Sequence, residues 1–205
     1  MDPALAQLAH TVRFEWGTAG AAAVADGVDV AVVVDVLHAT TAVAHGLDAG
    51  SPVWAIDPAD PTGRLAHELS SRVTTVVAGS LHNARAVADW LAREHDEDEQ
   101  TIAVIAAGDL WPDGSLRPAV EDLWGAGAIL AALEDHDWRG LSPEAAWAAD
   151  SYRLIAGREE SHLVACAGGQ LCIAAGEHDA LHRAADLDGS LTVPLLGSQG
   201  FVPAP

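Results

Sequence analysis

Three short stretches of the chain combine residue types that can bind a phosphorylated ligand or a hard cation. The first is Asp35 in VAVVVDVLHATTA, followed by His38, Thr40 and Thr41. A carboxylate there can ligate Mg²⁺ or act as nucleophile or base, while hydroxyls and free N–H groups at a helix start can hold phosphate. A simpler role, capping the turn, would also account for Asp35. The second is Gly79-Ser80-Leu81-His82-Asn83, where glycine permits close backbone approach and Ser80 and Asn83 offer polar groups; ordinary helix capping explains these residues equally well. The third runs from Ile102 to Asp122 and holds Asp109, Asp113, Arg117, Glu121 and Asp122. Arg117 can clamp an anion and the acids can hold a cation, or the stretch is a solvated turn with acids placed favourably in a first helical turn.

All three stretches follow apolar runs that read as strands. Thr11 to Trp16 alternates apolar and polar residues, whereas Asp29 to Val36 and Ile102 to Ala107 are continuous apolar runs suited to strands buried on both faces. Further strands are expected at Pro52 to Ile56, Val73 to Ala78 and Leu191 to Leu195. Helical patterns lie between them at Thr40 to Leu47, Thr62 to Leu69 and Asn83 to Glu94. Later helices are expected at Pro118 to Leu133, at Pro143 to Ala156 with Ser142 as N-cap, and at His178 to Leu187. Alternating strands and helices predict one domain over residues 1–205, a three-layer α/β/α fold with a mainly parallel or mixed sheet and an α-rich C-terminal flank. In such sheets ligands bind beyond the carboxyl ends of the strands, so the three polar stretches converge on one rim.

Composition narrows the chemistry. Thirty acidic residues against ten basic ones give a formal charge of −20, which argues against nucleic acid and anionic membranes as partners. Lysine is absent, so a Schiff-base lysine and a P-loop lysine are excluded. An anionic substrate would need arginine, helix N-termini or a divalent cation to overcome the repulsive field. Cys166 and Cys172 form no CxxC motif and read as buried thiols. The pair His178 and His182 lacks the HExxH pattern and a third ligand, and reads as a solvated helix face. The acidic run Glu94 to Gln100 reads as a surface loop ending its helix. No leader pattern opens the sequence and no run approaches a membrane span, so a cytoplasmic location is expected.

The motifs RFEWGTAG, VVVDVLHATTAVA, GSLHNARAVADWL and VIAAGDLWPDGSLRPAVEDLWGAGAIL, with the later SHL, CAGG and VPLL pieces, resemble the 2-phosphosulfolactate phosphatase family, particularly its actinobacterial-type branch. The resemblance implies a Mg²⁺-dependent phosphatase releasing phosphate from 2-phospho-3-sulfolactate, a step on one route to coenzyme M, and a homo-oligomer, most simply a dimer. It implies Asp35, Glu121 and Asp122 as metal or catalytic residues, and Gly79, Ser80 and Asn83 as residues lining the phosphate site. Read with the residue types at the three strand ends, this gives Asp35, Asp122 and Arg117 as catalytic residues, Asp35, Glu121 and Asp122 as metal ligands, and adds His38, Thr40 and Asp109 to the substrate site. The chain departs from the family pattern at His38, where many members have arginine, and at Ala106, where many have asparagine. It also lacks the Asn-Ser-Pro and Asn-Gly-[ST] elements between Asp57 and Val73. The alternative is a non-catalytic anion- or metabolite-binding member that has lost part of the site.

Overall fold

The computed structural model describes residues 2–96 and 99–205. Its centre is a six-stranded mixed sheet in the order β1-β4-β2-β3-β7-β8, comprising β1 (Val12–Trp16), β4 (Ile102–Ala106), β2 (Val30–Val34), β3 (Thr75–Gly79), β7 (Pro194–Gly197) and β8 (Gly200–Pro203). The first four are parallel to one another, and β7 and β8 form an antiparallel edge. Both faces of the parallel part are buried, which is why β2 and β4 consist of apolar residues without alternation.

Alternate side chains of these strands feed two cores. Val32, Val34, Val104 and Ala106 pack with α4 (Ala84–Glu94) and α5 (Val120–Glu134) on one face, backed by α6 (Pro143–Arg153). Ala31, Val33, Ala103 and Ile105 pack on the other face against α1 (Gly17–Val24), α2 (Ala39–Asp48) and α3 (Pro61–Ser70). Burying a side chain such as Leu65, Ile105 or Ile129 stabilises the fold by about 1.5–3 kcal/mol each. Helices α7 (Glu159–Ala165), α8 (Ala167–Ala175) and α9 (His178–Ala185) complete the α-rich flank. Cys166 and Cys172 are free and buried there, and burial pushes the Cys166 thiol up to about 11. Among the described residues no helix is long and apolar enough to cross a membrane.

Several expected elements differ. Pro52 to Ile56 forms no strand; it makes only an isolated bridge in which Trp54 and Phe201 exchange two backbone hydrogen bonds of 2.8 Å. Pro118 does not open a helix, because Leu116–Arg117 (β6) pairs with Asp109–Leu110 (β5) in a small hairpin and α5 begins only at Val120. Proline favours extended backbone in the residue before it, which suits Arg117 in a strand. Helices α1, α7 and α8 were not expected, nor was β8 in the Gly/Pro-rich tail. Ser142 does cap α6, accepting a hydrogen bond from the Ala145 N–H, with Pro143 at the first position. Helix α4 ends at Glu94, ahead of the acidic run, of which Glu97 and Asp98 lie outside the described residues.

Candidate active site

Strand β2 lies between β4 and β3, and Val34 is level with both Ala106 and Gly79, so three parallel strands end on one rim. After β2 the chain leaves to the face covered by α2 and α3, and after β4 to the face covered by α5. Adjacent strands whose connections leave in opposite directions create a crevice, the usual ligand position in an open α/β sheet.

Asp35 sits at the tip of β2. Its backbone is fixed by Thr40, whose hydroxyl donates to the Asp35 carbonyl at 2.7 Å and accepts from the Asp35 N–H at 2.9 Å. The Thr41 hydroxyl does the same for the next turn by donating to the Val36 carbonyl. The Asp35 carboxylate is held separately: the Thr62 hydroxyl donates to Oδ2 at 2.6 Å. Oδ1 is left beside His38, with 3.6 Å to the ring Nδ1.

Asp122 closes the crevice from the first turn of α5. Its Oδ1 accepts from the Val36 N–H at 2.8 Å and its Oδ2 from the Gly108 N–H at 2.9 Å, so one carboxylate ties the ends of β2 and β4 together. Burial and the facing charge of Asp35 hold Asp122 well above the ordinary carboxylate range, against the opposing effect of its two N–H donors. Contact with Asp35, reinforced by the charges of Asp122 and Asp109, holds the His38 imidazolium up to a pKa of about 9.

These groups line a cavity of about 180 Å³ together with Glu121, Asp60, Pro61 and Thr62. The predicted residues Asp35, His38, Asp109, Glu121 and Asp122 are therefore brought together, and Thr40 lies directly beneath them. Arg117 is not in the lining. It stands on β6 with Nη1 3.8 Å from Asp109 Oδ2 and its guanidinium 5.7 Å from the Trp111 ring centroid, and that Nη1 has no hydrogen-bond partner among the described residues. Asp113 shapes the hairpin turn by accepting hydrogen bonds from the Ser115 N–H and hydroxyl.

The Gly79 to Asn83 stretch reaches the rim but turns its polar groups inward. Asn83 Oδ1 accepts from the Ser80 N–H and hydroxyl, and Asn83 Nδ2 donates to the carbonyls of Ala78 and Thr192. A Cβ on Gly79 would come within 2.5 Å of Ile129, so glycine serves packing there. His182 is exposed and 3.5 Å from Glu160. A larger cavity of about 510 Å³, between α3 and the β7–β8 hairpin, contains none of the predicted site residues.

Thr62 and Asp60 were not anticipated as site residues. Asp60-Pro61 announces a helix start, and Asp60 does accept from the N–H groups of Thr62 and Gly63. Nothing local in the sequence says that this helix start faces Asp35.

Among the described residues no three His, Cys, Asp or Glu side chains form a ready-made metal cage. The donor set still suits Mg²⁺, which keeps several waters and typically takes one or two carboxylates plus substrate phosphate. Among the described residues, five acids line this small cavity with His38 as the single basic residue, and they carry negative charge that such a cation would neutralise.

The fold and the rim are those of an α/β enzyme with its site at a sheet switch point. Residues 61–199 match the family model described as 2-phosphosulpholactate phosphatase, and the chain belongs to that family of phosphatases. The match spans Thr62, Asp109, Glu121 and Asp122; Asp35 and His38 precede it and are joined to it through the hydrogen bonds of Thr62 and Asp122. No curated protein matches the chain.

Proposed function

We propose that the protein is a Mg²⁺-dependent phosphomonoesterase acting on 2-phosphosulfolactate or a related small phosphoester at the Asp35–Asp122 cavity. The observation that carries this reading is the Asp122 bridge: a buried carboxylate joins two strand ends beside a second carboxylate, in a space sized for a phosphoryl group rather than a large cofactor. Asp35 and Asp122, with Glu121 beside them, are the residues that would hold Mg²⁺. The cation would supply neutralisation of charge on the phosphoryl oxygens.

The chain's own residues divide the remaining work. Asp35 has one oxygen locked by Thr62 and the other free beside His38, an orientation suited to a base or nucleophile. His38, whose imidazolium is favoured by contact with Asp35 in the metal-free site, would supply a donor toward phosphoryl oxygen. Arg117 acts from the hairpin, paired to the cavity through Asp109.

Purified protein is expected to release phosphate from 2-phosphosulfolactate or another member of a phosphomonoester panel only with Mg²⁺ present, and Asp35→Asn is expected to abolish release. Turnover that survives chelation, or Asp35→Asn with wild-type turnover, would overturn the proposal. A second reading has support in the absence of any arginine among the described residues of the cavity lining: the site binds an anion without turning it over. Stabilisation of the protein by a phosphoester that it never hydrolyses would favour that reading.

A further inference from the structure

Arg117 carries a donor that the fold buries and does not use. Its side chain is 15% exposed, and Nη1 is buried with no hydrogen-bond partner among the described residues. The carboxylate of Asp109 faces it through Oδ2 at 3.8 Å, beyond the roughly 2.7–2.9 Å of a charge-assisted hydrogen bond. Burying a donor without an acceptor is costly, so a site that keeps one is suited to an acceptor brought by a ligand.

The hairpin directs this donor toward the acidic cavity. Asp109 and Arg117 are paired across β5 and β6, so their side chains leave the same face, and Asp109 lines the cavity. Leu110 and Leu116 leave the opposite face. There Leu116 rests on Gly17 and Gly108, where an added Cβ would fall 3.1 and 2.7 Å from its Cδ1, and this contact seats the hairpin. Arg117 thus stands one carboxylate behind the cavity wall. Asp109 Oδ1 accepts from the Leu110 N–H at 2.7 Å, but the side chain is half exposed and can turn into water, leaving Nη1 to an incoming anion.

The chemistry of the substrate decides which anion that is. In 2-phosphosulfolactate the phosphoester and the carboxylate share one carbon, and the sulfonate is on the next. Phosphoryl and carboxylate oxygens are good ligands for a hard cation, whereas a sulfonate, the anion of a strong acid, is a poor one. The sulfonate therefore faces the acids of the cavity unless a fixed cation meets it. A guanidinium suits it, because its charge is permanent, it is weakly hydrated, and its fork matches two oxygens of one anion.

We propose that Arg117 is a specificity-determining residue that binds the sulfonate of the substrate through the unused Nη1, displacing Asp109. This rests on the phosphatase reading and assigns Arg117 to the part of the substrate that is not cleaved.

The test compares 2-phosphosulfolactate with 2-phospholactate, which differs only in lacking the sulfonate, at saturating Mg²⁺. Wild-type protein is expected to favour the sulfonated substrate by roughly 100-fold in kcat/KM, mainly through KM, the scale of one buried charge-assisted contact. Arg117→Met should bring that preference to within about threefold, and Arg117→Lys, which keeps the charge without the fork, should leave about a tenth of it. Asp109→Asn keeps an acceptor for the Leu110 N–H and removes the competing charge, so it should raise the preference about threefold, the scale of a half-exposed ion pair. It covers the case in which Arg117→Met does not fold. Equal losses on both substrates in Arg117→Met would place the guanidinium on the phosphoryl group or the carboxylate and overturn the proposal. So would a wild-type protein without the preference, or an unchanged or lowered preference in Asp109→Asn. If wild-type protein hydrolyses neither compound, the phosphatase reading fails for this substrate class and calorimetric Kd values for the two phosphoesters in Mg²⁺ decide instead. Tighter binding of 2-phosphosulfolactate, weakened by Arg117→Met or Arg117→Lys, upholds the Arg117 assignment; equal, reversed or undetectable binding overturns it.

Discussion

The Thr62 hydroxyl donates a 2.6 Å hydrogen bond to Oδ2 of Asp35, joining the start of α3 to the tip of β2. Both residues are buried, so removing the donor leaves a carboxylate oxygen without a partner, a cost of about 1–3 kcal/mol. Thr62→Val keeps the shape and loses the donor. Turnover is expected to fall roughly 10- to 100-fold through kcat, because a freely rotating Asp35 no longer presents Oδ1 in a fixed direction. Thr62→Ser restores the hydroxyl and should recover most of the loss. Steady-state kinetics of the two variants check this, and equal losses in both would assign Thr62 to packing alone.

His38 makes stability depend on pH in a defined direction. Its pKa is raised from 6.5 to about 9 in the folded protein, so its contribution is complete below pH 6.5 and is lost as pH rises through about 9. Asp122 acts in the same sense from lower pH: its folded pKa is raised above 3.8, so its contribution is also lost as pH rises. The thermal midpoint of the metal-free protein should therefore fall between pH 6.5 and 9, and fall less in His38→Gln. The ring is largely exposed and solvent weakens the pair, so the effect is a change of slope rather than a loss of folding. Thermal melts across that window read the difference, and identical slopes would remove His38 from the account.

The fold was legible where side-chain size carries a pattern. Runs of valine and isoleucine marked β2 and β4, and Ser142-Pro143 marked the start of α6. The helices missed at 17–24 and 167–175 are built largely from glycine and alanine, which leave no apolar stripe of period 3.6 to read. Pro52 to Ile56 has strand-like residues but pairs only at Trp54, because strand formation depends on a neighbouring edge that local sequence does not reveal. At the site, Asp35 and the Glu121-Asp122 pair were readable from strand ends and first-turn acids. Thr62 was not, since its partner lies 27 residues away and only the placement of α3 brings them together. Ser80 and Asn83 show the converse problem: the residue types that bind phosphate are also those that cap turns, and here the capping role takes all their polar atoms.

Asn83 consequently predicts a loss of stability without a loss of chemistry. Its amide receives two hydrogen bonds from Ser80 and donates two more, one of them to Thr192, so it fastens the end of β3 to the segment leading into β7. Asn83→Ala should destabilise the protein by about 2–4 kcal/mol, as expected for breaking a buried hydrogen-bond network. Activity per folded molecule should stay within roughly twofold of wild type, since no Asn83 atom borders the cavity. Urea denaturation gives the first quantity and kinetics well below the unfolding transition the second; a selective rise in KM would return Asn83 to the phosphate site.

Glu121 and Gly168 separate a ligand carboxylate from a structural one. A Cβ at position 168 would fall 2.0 Å from Glu121 Oε1 and 2.8 Å from Leu37 Cδ1, so the first turn of α8 leaves room for Glu121 only while residue 168 is glycine. Gly168→Ala should displace both side chains, destabilise the protein by about 1–3 kcal/mol through overpacking, and weaken Mg²⁺ binding by moving Glu121 and the loop that follows Asp35. Glu121→Gln distinguishes charge from shape. Glu121 Oε2 is buried without a hydrogen-bond partner among the described residues, and Asp122 and Asp35 stand beside it in the cavity lining. Neutralising it should therefore hold or raise the thermal midpoint of the metal-free protein, because a buried charge is removed from among like charges. The same substitution should lower Mg²⁺ affinity by calorimetry, because an amide oxygen is a poorer ligand for a hard cation than a carboxylate. Unchanged affinity in Glu121→Gln alongside a loss in Asp35→Asn would confine the cation to Asp35 and Asp122, with Glu121 serving only to set the spacing between α5 and α8.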